Sequence, residues 1–187
     1  MSGLDIAGNR AARKYSRAEL AQRVLWSLLN PLFHCSPRLA YGWRRGLLRV
    51  LGAEIGHAVQ IHPSVRIFLP SLLAIGDESA VAEDVRLYNL GPLRIGAKAT
   101  VSQGAHLCGG SHDDQDPALP LIRAPIHIGS SAWVCADAFI GPGVTVGEGA
   151  VVAARAVCVR DVAPWQVVAG NPARVIRTRV LAAAAKP

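Results

Sequence analysis

At 187 residues, 51% hydrophobic and a formal charge of +7, the chain can bury a core as one domain with an appendage, and no second domain is required. Its longest uncharged N-terminal stretch, Val24 to Pro37, is shorter than the roughly 20 apolar residues of a membrane span and contains Asn30 and Pro31. Residues 1–52 hold nine Lys or Arg against Asp5 and Glu19, whereas residues 53–187 hold eleven of each sign. The basic segment carries no recognised nucleic-acid motif and the rest is neutral, so no nucleic-acid partner is expected.

Asp5, Arg10, Arg13 and Lys14 precede any apolar run, which lacks the order of a signal peptide and points to the cytoplasm. Residues 1–15 read as polar and loose. Ser16 with Glu19 forms a capping-box pattern that opens a helix carrying Leu20, Val24, Leu25, Leu28 and Leu29 and ending near Asn30-Pro31. Ser36-Pro37 offers the start of a second helix that Gly52 ends. That helix is apolar at Leu39, Trp43, Leu47, Val50 and Leu51 and basic at Arg38, Arg44, Arg45 and Arg49. Two roles stay open for residues 1–52: a cap over the open end of the array that follows, or a basic surface for anionic lipid.

From Ile55 the chain repeats every six residues. Aliphatic residues recur at Ile55, Ile61, Ile67 and Leu73, at Ile75, Val81, Leu87 and Leu93, at Ile95, Val101 and Leu107, and again at Ile128, Val134, Ile140, Val146 and Val152, with Cys158 in the same slot. Small or branched residues follow four places later, from Val59 and Val65 to Ala156 and Val162. A period of six is neither helical nor that of a simple amphipathic strand; it is that of a parallel β-helix. Pairs of Ile or Val with Gly at 55, 75, 95, 128 and 146 make three hexads one coil, a three-sided prism of about five coils over residues 53–169, with residues 170–187 as a turn and basic tail. Cys35, Cys108, Cys135 and Cys158 show no C-x-x-C spacing and read as reduced, packed thiols.

The array breaks once, between Cys108 and His127. Ile95 to Ile128 spans 33 residues where 20 would match the neighbouring coils, so an outward loop is expected, with His112 at its root. His34, His57, His62, His106 and His127 lie in the cap, in the array or at the loop junction, where an ordinary surface or hydrogen-bonded histidine is the reading. Asp113, Asp114 and Asp116 either orient His112, bind substrate or are simply solvated.

The hexads, the Gly-Ser-His112-Asp loop, the run Gly141-Pro-Gly-Val-Thr-Val-Gly147 and the closing Gly170-Asn-Pro-Ala-Arg-Val-Ile-Arg177 resemble the hexapeptide-repeat O-acetyltransferases. Tyr41-Gly-Trp-Arg-Arg45, Leu51-Gly-Ala53 and Leu87-Tyr88 are most similar to the branch of colanic acid and exopolysaccharide synthesis, with galactoside and maltose acetyltransferases more distant. The resemblance implies a left-handed β-helix, a homotrimer with sites between subunits, and acetyl-CoA as donor to a sugar or lipid-linked glycan, with no metal. It implies His112 as general base, a role suited to histidine because its ordinary pKa of about 6.5 leaves it largely neutral. Ala136, Gly141 and Ala154 correspond to positions along the pantetheine arm, and Arg160, Arg174 and Arg177 to positions near the nucleotide; glycine and alanine there also have a structural explanation. An asparagine on the acceptor side of galactoside-type members is Ala82 here, which turns acceptor binding toward Glu83, Asp84, Asn89 and Asp113. The alternatives are a zinc enzyme like the γ-class carbonic anhydrases, for which His106, His112 and His127 supply the number of ligands, and a non-catalytic scaffold.

Overall fold

Every aliphatic position of the six-residue repeat points into the prism. From Ile55 to Cys158 and from Val59 to Val162 these side chains are at most 7% exposed, and Ser79, the one polar residue among them, donates to the Gly96 carbonyl at 2.7 Å. In the computed structural model, which describes residues 3–182, the first coil comprises β1 (Glu54–Ile55), β2 (Gln60–Ile61) and β3 (Arg66–Ile67). The second is β4 (Leu73–Ile75), β5 (Ala80–Val81) and β6 (Arg86–Tyr88), and the third β7 (Leu93–Ile95), β8 (Thr100–Val101) and β9 (His106–Cys108). Then β10 (Gly110–His112) and β11 (Leu121–Arg123) leave the prism as an antiparallel hairpin. The fourth coil is β12 (Ile126–Ile128), β13 (Trp133–Val134) and β14 (Phe139–Ile140), and the fifth β15 (Thr145–Val146), β16 (Val151–Val152) and β17 (Val157–Cys158). A sixth turn begins with the Val162–Val146 bridge and β18 (Gln166–Ala169), which β19 (Arg174–Thr178) covers antiparallel, so the array extends one partial turn beyond the five coils expected. Beyond Ala182 the tail lies outside the described residues.

The strands stack in parallel into three faces: β1-β4-β7-β12-β15, β2-β5-β8-β13-β16-β18 and β3-β6-β9-β14-β17. Stacking explains the recurring Ile-Gly and Val-Gly pairs. A Cβ at Gly76 would stand 2.5 Å from the Ala97 nitrogen of the next coil, and one at Gly129 2.5 Å from that of Glu148. The corners approach too closely for a side chain.

The N-terminal segment caps the prism with Leu47 and Leu51 inward as expected, but its arginines turn inward as well. Residues 1–15 are not simply loose: Asp5 caps a short helix α1 (Ile6–Ala11). The Ser16–Glu19 capping box opens α2 (Arg17–His34), which continues through Pro31 because Phe33 is fully buried and packs against Trp26 at 5.7 Å. α3 (Tyr41–Val50) starts later than Ser36-Pro37, since the Ser36 hydroxyl donates back to Phe33 O instead of capping forward. Trp26, Phe33 and Leu48 go inward, while Leu20, Val24, Leu28, Leu39, Trp43 and Val50 stay exposed.

The basic residues face the prism because an unpaired β edge offers carbonyls. Arg44 donates to Ile61 O at 2.6 Å, Arg45 to Val59 O at 3.0 Å and Arg49 to Ile55 O at 2.7 Å, and the Trp26 indole donates to Ile67 O at 2.8 Å. Three of the four arginines read as a surface for anionic lipid are therefore engaged on the first coil. Arg44 is fully buried, with further bonds to the Ser36 hydroxyl, Pro37 O and Arg38 O, and burial pushes its pKa below the ordinary value. Replacing Arg44 with Met strands these acceptors and is expected to cost about 3 kcal/mol in urea unfolding. Arg38→Met, which removes only an exposed pair with Glu83 at 3.1 Å, should cost less than about 1 kcal/mol. Equal losses would contradict the capping role.

Candidate active site

His112 ends β10, exposed, at the point where the hairpin turns away from the prism. Its Nδ1 lies 2.6 Å from the Leu119 carbonyl. A carbonyl offers only lone pairs, so Nδ1 carries a hydrogen, and in the neutral ring the free lone pair is on Nε2. Leu119 adopts a left-handed conformation (φ 46°), uncommon for a leucine, and so turns its carbonyl toward the ring. Asn9 of α1 donates to the same carbonyl and to Ala118 O, each at 2.7 Å, and the Asp5 amide donates to Pro117 O at 2.8 Å. The first helix therefore holds the group that holds the imidazole. The loop acids do not orient the ring. Asp113 accepts from the Gln115 amide at 3.0 Å and Asp116 from the Ala118 amide at 2.8 Å, both bonds that shape the loop. Residue order gives no hint of Asn9 or Leu119, because their contact joins residues 110 apart and no periodicity signals it.

The hairpin is anchored at Arg123, which donates to Leu90 O at 2.8 Å, pairs closely with Glu19 and lies 5.6 Å from the Tyr15 ring centre. Glu19 thus serves both the helix cap and the hairpin. The Arg123 hydrogen bond first, and the Ser16 amide second, lower its carboxyl pKa to about 2.

Within one chain the proposed acceptor residues do not converge. Glu83 pairs with Arg38 and stands 3.5 Å from His62, and the Asp84 amide donates to the Ser64 hydroxyl at 2.8 Å. Both occupy the corner between the second and third faces, whereas the hairpin leaves between the third and first. Asn89 corrects its assignment outright. It is 1% exposed, accepts from the Phe68 and Leu69 amides and donates to Leu69 O at 2.6 Å, so it seals a coil and cannot meet a ligand. Of the four, only Asp113 lies on the hairpin.

Among the donor residues, Ala136 and Ala154 stack at one corner, where the Arg155 amide bonds to Ala136 O at 2.9 Å. Gly141 lies at the next corner, beneath Cys158 O. Arg160 and Arg174 line one groove of about 140 Å³ with Val159, Asp161, Ala173 and Val175, and Arg177 lies exposed on β19. Arg160 and Arg174 are thus brought together, with one carboxylate between the same walls. His106 lies on the third face, His127 on the first and His112 on the hairpin, so within one chain the three histidines of the zinc alternative do not share a site. All four cysteines are free thiols.

On the third face, Phe68 and Tyr88 meet edge to face at 5.1 Å, and Tyr88, His106 and Phe139 continue the aromatic row at 6.5 and 5.5 Å. With Arg66, Arg86 and Cys108, the residues Phe68, Tyr88 and His106 border a cleft of about 380 Å³ beside the hairpin root. Burial first, and the Arg86 charge second, lower the His106 pKa and favour its neutral form.

Because the Glu19 pKa lies below its ordinary 4.5, its contact with Arg123 stabilises the hairpin above that pH and loses its effect as pH falls toward about 2. Glu19→Gln is expected to accelerate hydrogen exchange in residues 110–123 at pH 7 while leaving the fourth and fifth coils unchanged. Identical hairpin exchange in the two proteins would show that the pair does not hold it.

No family model matches this chain. Over 158 residues it is 44% identical to the Escherichia coli K12 protein named for colanic acid biosynthesis acetyltransferase WcaF, covering 84% of this chain and 87% of the relative. Its fold is similar to that of a maltose O-acetyltransferase from Clostridium difficile 630, with TM-score 0.80, 24% identity and coverage of 89% and 90%. The hexapeptide-repeat acetyltransferase VCA0836 of Vibrio cholerae, solved with acetyl coenzyme A, gives TM-score 0.79 and 27% identity over 89% of this chain and 91% of that one. Together with the six-residue array and the histidine-bearing hairpin, these likenesses place the chain in the family of hexapeptide-repeat acetyltransferases.

Proposed function

We propose that the protein transfers acetyl from acetyl-CoA to a sugar hydroxyl of an exopolysaccharide precursor, as a homotrimer in the cytoplasm, with His112 as general base. The observation that carries this reading is the bond from Nδ1 to Leu119 O at 2.6 Å, which makes Nε2 the lone-pair nitrogen of the neutral ring on an exposed side chain. A sugar hydroxyl is far too weak an acid to ionise at neutral pH, so its proton must leave as its oxygen attacks. Nε2 takes that proton while the oxygen bonds to the thioester carbonyl. Collapse of the tetrahedral oxyanion breaks the carbon–sulfur bond, and the thiolate recovers the proton from Nε2. The products are the acetyl ester and free CoA, with His112 neutral again and no acetyl-enzyme formed. On the donor side, Arg160, Arg174 and Arg177 suit the CoA phosphates, since guanidinium binds phosphate bidentately. Ala136 and Ala154 leave room for the thin arm beside the backbone. The name of the E. coli relative supports an exopolysaccharide acceptor.

A second reading concerns location. Although no helix among the described residues is long and apolar enough to cross a membrane, Leu20, Val24, Leu25, Leu28 and Leu32 form an exposed stripe along α2, joined by Leu39 and Trp43. Arg10, Arg13 and Arg17 lie near its start. This arrangement suits shallow insertion into an anionic bilayer, with the apolar stripe rather than the α3 arginines in contact.

His112→Ala should lower acetyl transfer by about 10² to 10⁴-fold with acetyl-CoA binding retained. Asn9→Ala, which keeps the imidazole but frees the Leu119 carbonyl, should lower kcat roughly tenfold and alter the pH profile with little change in the KM for acetyl-CoA. Full turnover in the His112 variant would refute the mechanism. For the second reading, Val24→Asp with Leu28→Asp should abolish co-sedimentation with phosphatidylglycerol vesicles while the oligomer persists. Loss of the oligomer instead would assign the stripe to subunit contact.

A further inference from the structure

Outward side chains of a β-helix stack in columns about 4.8 Å apart, because each strand lies directly over its register partner. On the third face this stacking builds an unusual pair of columns. Arg66 lies opposite Arg86, and Arg86 opposite His106; beside them Phe68 is followed by Tyr88 and then Cys108. Like charges directly opposite one another destabilise a sheet. Carboxylates commonly separate such charges, yet the ion pairs of the described residues engage Arg38, Arg94, Arg123 and Arg155, not Arg66 or Arg86. The neutral form favoured at His106 adds no third positive charge to the column. The two guanidiniums thus form a fork for an oxyanion at the wall of a cleft whose other wall is aromatic.

The aromatic column leads toward the reactive side chain. A Cβ at Gly110 would stand 2.3 Å from Leu90 Cδ1 and 3.2 Å from a ring carbon of Tyr88, so the first residue of β10 lies against Leu90 and beside that ring. His112 follows two residues later, about 7 Å along the strand. An acceptor seated on Phe68 and Tyr88 therefore has its hydroxyls near the hairpin, and a charged substituent on its far side reaches the arginines.

We propose that this cleft takes the acceptor as a glycosyl phosphate or diphosphate, with the sugar against Phe68 and Tyr88 and the phosphate on the Arg66–Arg86 pair. The inference deepens the acetyl-transfer reading by naming the acceptor's chemical class, and it rests on that reading for the role of His112. Phosphate fits because it accepts several charge-assisted bonds from guanidinium at once, whereas a neutral sugar gives the arginines nothing. One side of Phe68 is taken by the Arg23 guanidinium, 4.7 Å from its ring centre, and the remaining aromatic surface, chiefly Tyr88, suits the C–H side of a sugar and excludes water around the reacting hydroxyl.

The full-length protein and its Arg66→Gln, Arg86→Gln double variant test this. The first measurement is calorimetric binding of inorganic pyrophosphate. The second compares acetyl transfer to a free sugar, the same sugar as a nucleoside diphosphate ester, and the same sugar on a polyprenyl diphosphate in detergent. The expected result is that the wild-type protein binds pyrophosphate and the variant does not. The variant's KM for the diphosphate-linked acceptors should rise roughly 10- to 100-fold, with kcat, the KM for acetyl-CoA and the weak reaction of the free sugar unchanged. Which of the two carriers loses more identifies the source of the phosphate, and either result supports the site. Absence of pyrophosphate binding in the wild-type protein overturns the proposal, as does a rise in the KM for acetyl-CoA, which would assign the pair to the donor. If pyrophosphate binding is lost in the variant but no sugar is ever acetylated, the anion site stands and the acetyl-transfer reading fails.

Discussion

The structure depends on one constraint: each coil must hydrogen-bond, residue over residue, to the coils above and below it. That requirement fills the interior with the aliphatic ladder from Ile55 to Cys158, and it removes the side chain at Gly76 and Gly129, where corners meet at distances no Cβ tolerates. It also arranges the exterior. Because partners lie in register, a surface residue is a member of a column, and its neighbours in space are twenty residues away in sequence rather than one or two. The Arg66–Arg86 rung and the Phe68–Tyr88 pair are products of this arithmetic. A site on such a prism is built by adding rungs, not by folding loops together.

The same constraint creates a problem at the ends. The first coil has no coil beneath it, so the carbonyls of Ile55, Val59, Ile61 and Ile67 would face water or a second edge. Guanidinium and indole donors from the N-terminal helices close them, and each donor is held by a helix that packs Phe33 or Leu48 onto the same end. At the other end β19 folds back antiparallel onto β18 and stops the ladder. Using charged side chains as edge caps leaves the apolar residues of α2 on the outside, where an exposed stripe needs its own partner.

Much of this was legible from residue order alone. Periodicity of six specifies which side chains are inside without reference to any neighbour, so the ladder, the three-sided coil and the position of the break follow from counting. The helix cap at Ser16 and the turn at Gly170-Asn171 are local and equally readable. What could not be read was any contact that joins the N-terminal segment to the array. The direction in which Arg44 points is set by the carbonyl of Ile61, and amphipathic patterning alone assigned the arginines to solvent. Asn89 misled for a related reason: an asparagine in a corner looks like a ligand group until its side-chain amide is seen bonding to Phe68 and Leu69 in the preceding turn.

The contacts of the first fifty residues also bear on why cap and site belong to one unit. Arg44, Arg45 and Arg49 hold the open edge; Glu19 holds Arg123 at the base of the hairpin; Asn9 holds the carbonyl that fixes the His112 ring. The hairpin itself has only the two short strands β10 and β11, paired over three residues, which is too little to fix a side chain at its end by its own hydrogen bonds. Its geometry is borrowed from the helices, and theirs from the edge they cover. The hairpin is thus tied at its base to α2 through Arg123 and at its far end to α1 through Leu119. The rigid array supplies the columns of the third face, while the appendage sets the carbonyl to which the His112 ring is bonded.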